Sequence, residues 1–233
     1  MVYAVILAGG KGLRLNSSIP KQLLILQGRS VLHWSVDAFI NSSVIDGVLI
    51  VCEKGIMDAV KSQFPQDLYP GVIAYVQGGK ERYDSSLNAL NAFNFKDDDI
   101  ILFHDAARPF VTEKIIDDVV LEVRRTGAAG TYVPAVDTVA VISGGIVQDI
   151  PDRQKLFYAQ TPQGFKFDII NKAHKKGASS TVTDDVSMVM SLGHKVAMVP
   201  GDEFNFKITT DFDFSVAQFI AQIYEKEGQL SKA

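Results

Sequence analysis

The chain has 233 residues, 47% of them hydrophobic and 21% charged, enough apolar material to fill the core of one α/β domain. Lys and Arg total 23 against 27 Asp and Glu, a net charge of −4. That balance excludes nonspecific nucleic-acid binding as a main activity and requires any polyanionic ligand to meet a local cluster of cations.

In chain order, residues 3–7 form the first β-rich run, and it stops at Ala8, far short of the roughly 20 apolar residues a membrane span needs. Further strand-like runs cover residues 48–51, 72–76, 100–103 and 129–133. Helical periodicity covers 31–39, 56–64, 85–93 and 113–125, the last with Thr112 as its N-cap. Strands that are apolar throughout and alternate with helices predict a mainly parallel sheet covered on both faces, whose ligands bind beyond the carboxyl ends of the strands. The segment 134–155 breaks the rhythm: residues 139–142 and 146–150 flank Ser143-Gly144-Gly145, a hairpin signal. Such a ribbon is marginal in water by itself and is expected to pack on a partner subunit. Helices over 167–176 and 184–192, a strand at 196–199, a strand-like run at 206–209 and a closing helix over 212–224 complete the chain. No linker divides it, so residues 1–233 read as one domain. The single cysteine, Cys52, sits in an apolar run as a core residue; with no disulfide to form, a cytoplasmic setting is expected.

The strand ends hold the polar residues. After the first strand comes Ala8-Gly9-Gly10-Lys11-Gly12-Leu13-Arg14, with Lys21 held behind Pro20. Glycines free to take positive φ can present several amides to an anion, while Arg14 adds a planar fork and Lys21 a point charge, so the loop reads as a polyphosphate cradle. Leu15 stands where a dinucleotide fingerprint needs its third glycine, and the Walker pattern is absent. Gly78-Gly79-Lys80-Glu81-Arg82-Tyr83-Asp84-Ser85 suits either a base or phosphate site or a plain turn with Ser85 capping a helix. Asp105 fits a Mg²⁺ or sugar-hydroxyl contact, or a turn paired with Arg108, while His104 is read as structural, with no zinc pattern nearby. Asp137-Thr138, Asp152-Arg153, Gln160-Thr161-Pro162-Gln163-Gly164, Thr183-Asp184-Asp185 and Lys207 each also have a bland reading, respectively a hairpin entry, a surface pair, a proline turn, an N-cap and a strand-edge lysine.

Taken together and in this order, LAGGKGLRL…PKQ, GGKERYDS, HDAARPF, DT, DR…QTPQGF, TDD and NFKIT resemble the family of 2-C-methyl-D-erythritol 4-phosphate cytidylyltransferases of isoprenoid precursor synthesis. The ribitol-5-phosphate cytidylyltransferases are a sister family that shares most of these motifs. Ala106-Ala107, and Gly164 after Gln163, favour the first family, whereas Gly9 stands where alanine is common. The resemblance implies an α/β, Rossmann-like nucleotidyltransferase domain with a β-hairpin dimerisation arm, working as a homodimer on CTP and a polyol phosphate. It implies that Arg14, Lys21, Arg153 and Lys207 are catalytic and that Ala8, Gly9, Gly10, Gly12, Gly79, Arg82, Ser85 and Asp105 bind CTP. Asp105, Thr183 and Lys207 would hold the polyol phosphate, joined across the dimer by Arg108, Thr138 and Arg153 of the partner's arm. Mg²⁺ is expected on the CTP phosphates, with Asp105 as its protein contact. A dinucleotide-dependent oxidoreductase would leave Lys21, Asp105 and the hairpin unexplained, and a silent nucleotide sensor would not need Arg14, Lys21, Arg153 and Lys207 together.

Overall fold

The computed structural model describes residues 1–10, 19–176 and 184–230; the expectations for Lys11, Gly12, Arg14 and Thr183 lie outside the described residues. The first half contains β1 (Val2–Ala8), β2 (Ile25–Leu26), β3 (Arg29–Ser30), α1 (Val31–Ile40), β4 (Gly47–Cys52), α2 (Met57–Gln63), β5 (Val72–Gln77), α3 (Arg82–Asn91) and β6 (Ile100–Asp105). The second half contains α4 (Glu113–Thr126), β7 (Ala128–Pro134), β8 (Val141–Ser143), β9 (Ile146–Asp149), β10 (Phe157–Lys166), α5 (Phe167–Lys176), α6 (Asp185–Ser191), β11 (Ala197–Pro200) and α7 (Asp211–Leu230).

Seven strands build one sheet in the order β11-β7-β10-β6-β1-β4-β5. Every neighbouring pair is parallel except those of β10, which runs antiparallel to both β6 and β7. The sequence of β1 explains why it lies inside: all seven of its residues are buried, Val2, Ala4, Ile6 and Ala8 on one face and Tyr3, Val5 and Leu7 on the other. On the first face these side chains meet Leu32, Val36 and Phe39 of α1 and the apolar stripe Ile115, Ile116, Val119, Val120 and Val123 of α4. On the second they meet Ala89 and Leu90 of α3 and Ile170, Ala173, Val186 and Val189 of α5 and α6. Burial of this much aliphatic surface, at about 25 cal/mol per Å², is what holds the strand ends in place. Cys52 lies wholly inside as a core residue, its thiol pushed up to about 11 by burial.

Three expectations are corrected. Residues 160–164 are not a proline turn: they belong to β10, in the middle of the sheet, with Gln160 through Phe165 buried. A proline argues against a central strand because it cannot donate to the ladder. Here the pairing with β7 shifts register between Gln160 and Gln163, which brackets Pro162 and leaves it outside the regular ladder. Residues 206–209 form no strand; the segment is tied by Ile208 N–H to Ala107 O at 2.8 Å and by Asp213, which accepts from Thr209 N and Thr210 N at 2.8 Å each. Helix α3 begins at Arg82 and not at Ser85, with Glu81 before it, whose N–H donates to Asp84 at 3.0 Å.

The remaining elements agree with the periodicity. Thr112 caps α4 by accepting from Ile115 N–H, and Gly127 ends it at φ 88° in the left-handed region where glycine is favoured. Strands β8 and β9 pair antiparallel around Gly144 and Gly145, whose φ values of 58° and 77° suit a two-residue turn with both central residues left-handed. Val141, Ile142, Ile146, Val147 and Ile150 on this ribbon are all exposed. Among the described residues no helix is long and apolar enough to cross a membrane.

Candidate active site

The parallel register brings the strand ends to one level: Ala8 of β1 lies opposite Cys52 of β4, Leu7 opposite Asp105 of β6, and Cys52 opposite Gln77 of β5. The segments that follow therefore open onto one edge and enclose a cleft of about 610 Å³. Ala8, Gly9, Gly10, Lys21, Gly79, Arg82, Ser85, Asp105 and Lys207 all line it, so nine of the expected residues meet there.

Gly9 and Gly10 do not have positive φ, contrary to the reason expected for them. What they supply is room. Both line the cleft, where a Cβ on Gly9 would lie 3.6 Å from Ser85 Oγ and one on Gly10 3.8 Å from Lys21 Cε. Gln22, which the motif reading passed over, donates to Ala8 O at 2.7 Å and ties the short turn Lys21–Leu23 to the end of β1. Lys21 Nζ donates to Ile208 O at 3.1 Å, so the lysine behind Pro20 and the segment carrying Lys207 border the same side of the cleft.

Asp105 is the electrostatic centre. Lys207 Nζ is 2.8 Å from its Oδ2, Arg108 Nε is 3.7 Å from the same oxygen and Arg82 Nε is 3.8 Å from Oδ1. Burial alone would raise the carboxyl pKa, but Lys207, Arg82 and Arg108 together hold it well below the usual carboxylate range. Asp105 is thus a fixed anion that keeps Lys207 in place before any ligand arrives. Arg108 itself does not line the cleft: its guanidinium donates to Asn205 O at 2.8 Å and to Ala159 O at 3.3 Å, so it braces the site from behind.

At the end of β5 the amides expected to read a ligand are engaged inside the protein. Gly78 N–H donates to Cys52 O at 2.8 Å, and Gly79 N–H to Ser85 Oγ at 3.1 Å. A Cβ on Gly79 would stand 2.1 Å from Asp84 Cβ and 3.0 Å from the Asp84 carbonyl carbon, so only glycine fits. Gly79→Ala is expected to destabilise the fold by about 1–3 kcal/mol as the turn moves to make room. Urea unfolding checks this, and an unchanged midpoint would show that the turn yields without cost.

His104 is structural, as read. Its side chain is buried, with Nε2 3.0 Å from Arg108 O and Nδ1 3.1 Å from Thr161 Oγ1, and that hydroxyl also accepts from Asp105 N–H. Burial pulls its pKa down to about 4. The unfolded chain, with a histidine near 6.5, takes up the proton first as pH falls, so stability is full above about 6.5 and is lost towards 4, by about 3 kcal/mol. Asp105 stays ionised in the folded protein throughout that window, and its own contribution begins to be lost only below about pH 5, where the unfolded carboxyl takes up protons. Unfolding midpoints at pH 7 and 4.5 should show this loss, and His104→Asn should flatten it; equal slopes in both proteins would assign the acid sensitivity elsewhere.

Thr138 and Arg153 lie apart from the cleft on the exposed segment around β8 and β9, and Arg153 Nη1 donates to Val136 O at 2.9 Å. Asp184 is the N-cap of α6, as its motif suggests, accepting from Ser187 N–H at 3.0 Å. Asp185 beside it was missed: its fully buried carboxylate binds Arg82. The doublet after a threonine looks like a cap with a spare acid, and no local signal reveals a partner 103 residues away.

Comparison with known proteins places these motifs. The family described as IspD: 2-C-methyl-D-erythritol 4-phosphate cytidylyltransferase matches residues 2–223. The protein of that name from Clostridium perfringens is 39% identical over 220 residues, 93% of this chain and 97% of the relative. The ribitol-5-phosphate cytidylyltransferase of Lactiplantibacillus plantarum is 34% identical over 95% of this chain and 99% of its own. The crystal structure of 4-diphosphocytidyl-2C-methyl-D-erythritol synthase from Anaerococcus prevotii superposes with a TM-score of 0.83 at 30% identity, covering 95% of this chain and 98% of that one. Of the two features separating the sister families, Ala106-Ala107 lines the cleft, whereas Gly164 marks core packing, since a Cβ there would come within 2.8 Å of Leu102, Val119 and Val123. With a match running from the first strand into the last helix and a cleft assembled from the same motifs, the chain belongs to the 2-C-methyl-D-erythritol 4-phosphate cytidylyltransferase family.

Proposed function

We propose that the cleft transfers the cytidylyl group of CTP to 2-C-methyl-D-erythritol 4-phosphate and releases pyrophosphate. The observation that carries this reading is the arrangement at the edge of the sheet, where the Gly9-Gly10 backbone, Lys21, Arg82 and Lys207 line one cleft and Asp105 holds Lys207. The acceptor is a phosphate monoester with a second pKa near 6, mostly dianionic at pH 7, so it attacks without a general base. Its oxygen forms a bond to the α-phosphorus of CTP in line with the bridging oxygen of the departing pyrophosphate. Charge accumulates on the α-phosphoryl oxygens and on the leaving group, where preorganised cations stabilise it. Lys21 and Lys207, which line the cleft, serve that role.

Because Gly78, Gly79 and Glu81 have their N–H groups engaged within the protein, a base at this strand end pairs with the carbonyl oxygens of the loop. Acceptors there suit the exocyclic amine of cytosine, which uracil lacks. Among the described residues no three histidines, cysteines or carboxylates cluster to hold a metal, and Asp105 would have to exchange Lys207 for the ion. Mg²⁺ therefore enters as part of the substrate, on the phosphates of CTP. Lys207 serves the acceptor as well, and Thr138 and Arg153 complete its site from a second copy of the chain, whose exposed ribbon reaches over the cleft.

The test is pyrophosphate release from CTP, UTP, ATP and GTP with Mg²⁺ and 2-C-methyl-D-erythritol 4-phosphate. CTP is expected to be turned over far faster than the other three. Equal turnover of a purine triphosphate would overturn the assignment.

A further inference from the structure

In the wall of the cleft, Arg82 stands between two carboxylates. Its Nη1 binds Asp185 Oδ2, while its Nε is 3.8 Å from Asp105 Oδ1. Asp105 already holds Lys207, so any loosening of Asp185 lets Arg82 fall towards Asp105 and compete with that lysine. What fixes Asp185 is therefore of consequence for the cleft. Its other oxygen, Oδ1, is buried and has no hydrogen-bond partner among the described residues, and the group nearest to it by charge is His174 Nε2, 3.5 Å away. His174, on α5, is equally buried, and among the described residues neither of its ring nitrogens has another partner. Its ring is stacked on Tyr83 at 4.8 Å between centroids and 27° between planes, and Tyr83 Oη donates to His174 O at 3.0 Å. Buried polar atoms are almost always paired, so an imidazole and a carboxylate facing each other with no other partner point to one another.

We propose that His174 is a positioning residue: through Asp185 it holds Arg82 at the nucleotide end of the cleft. The ring is set by Tyr83, the carboxylate is set by the ring, and the guanidinium is set by the carboxylate. The consequence for nucleotide binding rests on the cytidylyl-transfer reading above.

Two substitutions separate this role from simple packing. Leucine fills most of the ring's volume but donates nothing, whereas glutamine can still donate to Asp185 Oδ1. His174→Leu is expected to raise KM for CTP roughly five- to tenfold with kcat within about twofold, and His174→Gln to stay within about twofold of the wild type in both. In an Arg82→Ala background, His174→Leu should add nothing, because the group it positions is gone. The reverse order, with leucine tolerated and glutamine harmful, or an undiminished effect without Arg82, would overturn the proposal. Should His174→Leu not fold, the wild-type protein decides by long-range ¹H–¹⁵N spectra of the imidazole, assigned through contacts with the Tyr83 ring: a proton on Nε2 supports the contact, and a ring protonated only on Nδ1 refutes it. If wild type fails to turn over CTP, the proposed reaction falls and this spectrum still judges the His174 contact by itself.

Discussion

Lys21→Ala is expected to lower kcat by about 10²- to 10³-fold while changing KM for CTP far less. The lysine is anchored by Pro20 before it, by the Gln22 bond to Ala8 O and by its own bond to Ile208 O, so its charge is in place before the reaction begins. A cation fixed in this way acts most strongly where negative charge grows, on the α-phosphoryl oxygens and the departing pyrophosphate, and less in the ground state, where the triphosphate has other partners. Steady-state kinetics separates the two contributions. A rise in KM with kcat untouched would give Lys21 a ground-state binding role only.

The second large effect concerns the ribbon of β8 and β9. Its apolar side chains are exposed on a two-stranded unit too small to be stable alone, and Arg153 beside it does not reach the cleft of its own chain. If each site takes Lys21 from one chain and Arg153 from the other, Lys21→Ala and Arg153→Ala homodimers are both inactive. A mixed dimer places both lesions in one site and leaves the other intact. Random re-pairing makes half of the dimers mixed, so about a quarter of wild-type activity should return from two inactive parents. Heterodimers shown to form by mass spectrometry yet inactive would mean that Arg153 acts in its own chain or not at all.

Much of this architecture was legible in the residues themselves. Strands buried on both faces, such as β1 and β4, are apolar throughout, and the polar residues that follow them mark the ligand edge. Where the reading went astray, a local signal was outvoted by a distant contact. Pro162 made β10 look like a turn, because nothing in residues 157–166 discloses the register shift against β7 that accommodates it. Nothing local to Arg108 discloses that carbonyls of Ala159 and Asn205, far off in sequence, engage its guanidinium. Gly79 was expected to offer its amide; Ser85 takes that amide, and the need for glycine comes from Asp84 packed against it. Asp185 and His174 are invisible as a pair, since one reads as part of a helix cap and nothing local marks the other as its partner.

The identity of the acceptor matters most, because the sister families share most of the motifs that line this edge of the sheet. Limiting CTP with equal amounts of 2-C-methyl-D-erythritol 4-phosphate and D-ribitol 5-phosphate, followed by ³¹P NMR, reads the choice in one tube. Both products carry a new diphosphate diester, and their resonances are assigned against single-acceptor reactions. The account predicts that the methylerythritol diester accumulates first and in large excess. Accumulation of the ribitol diester in equal or greater amount would contradict it.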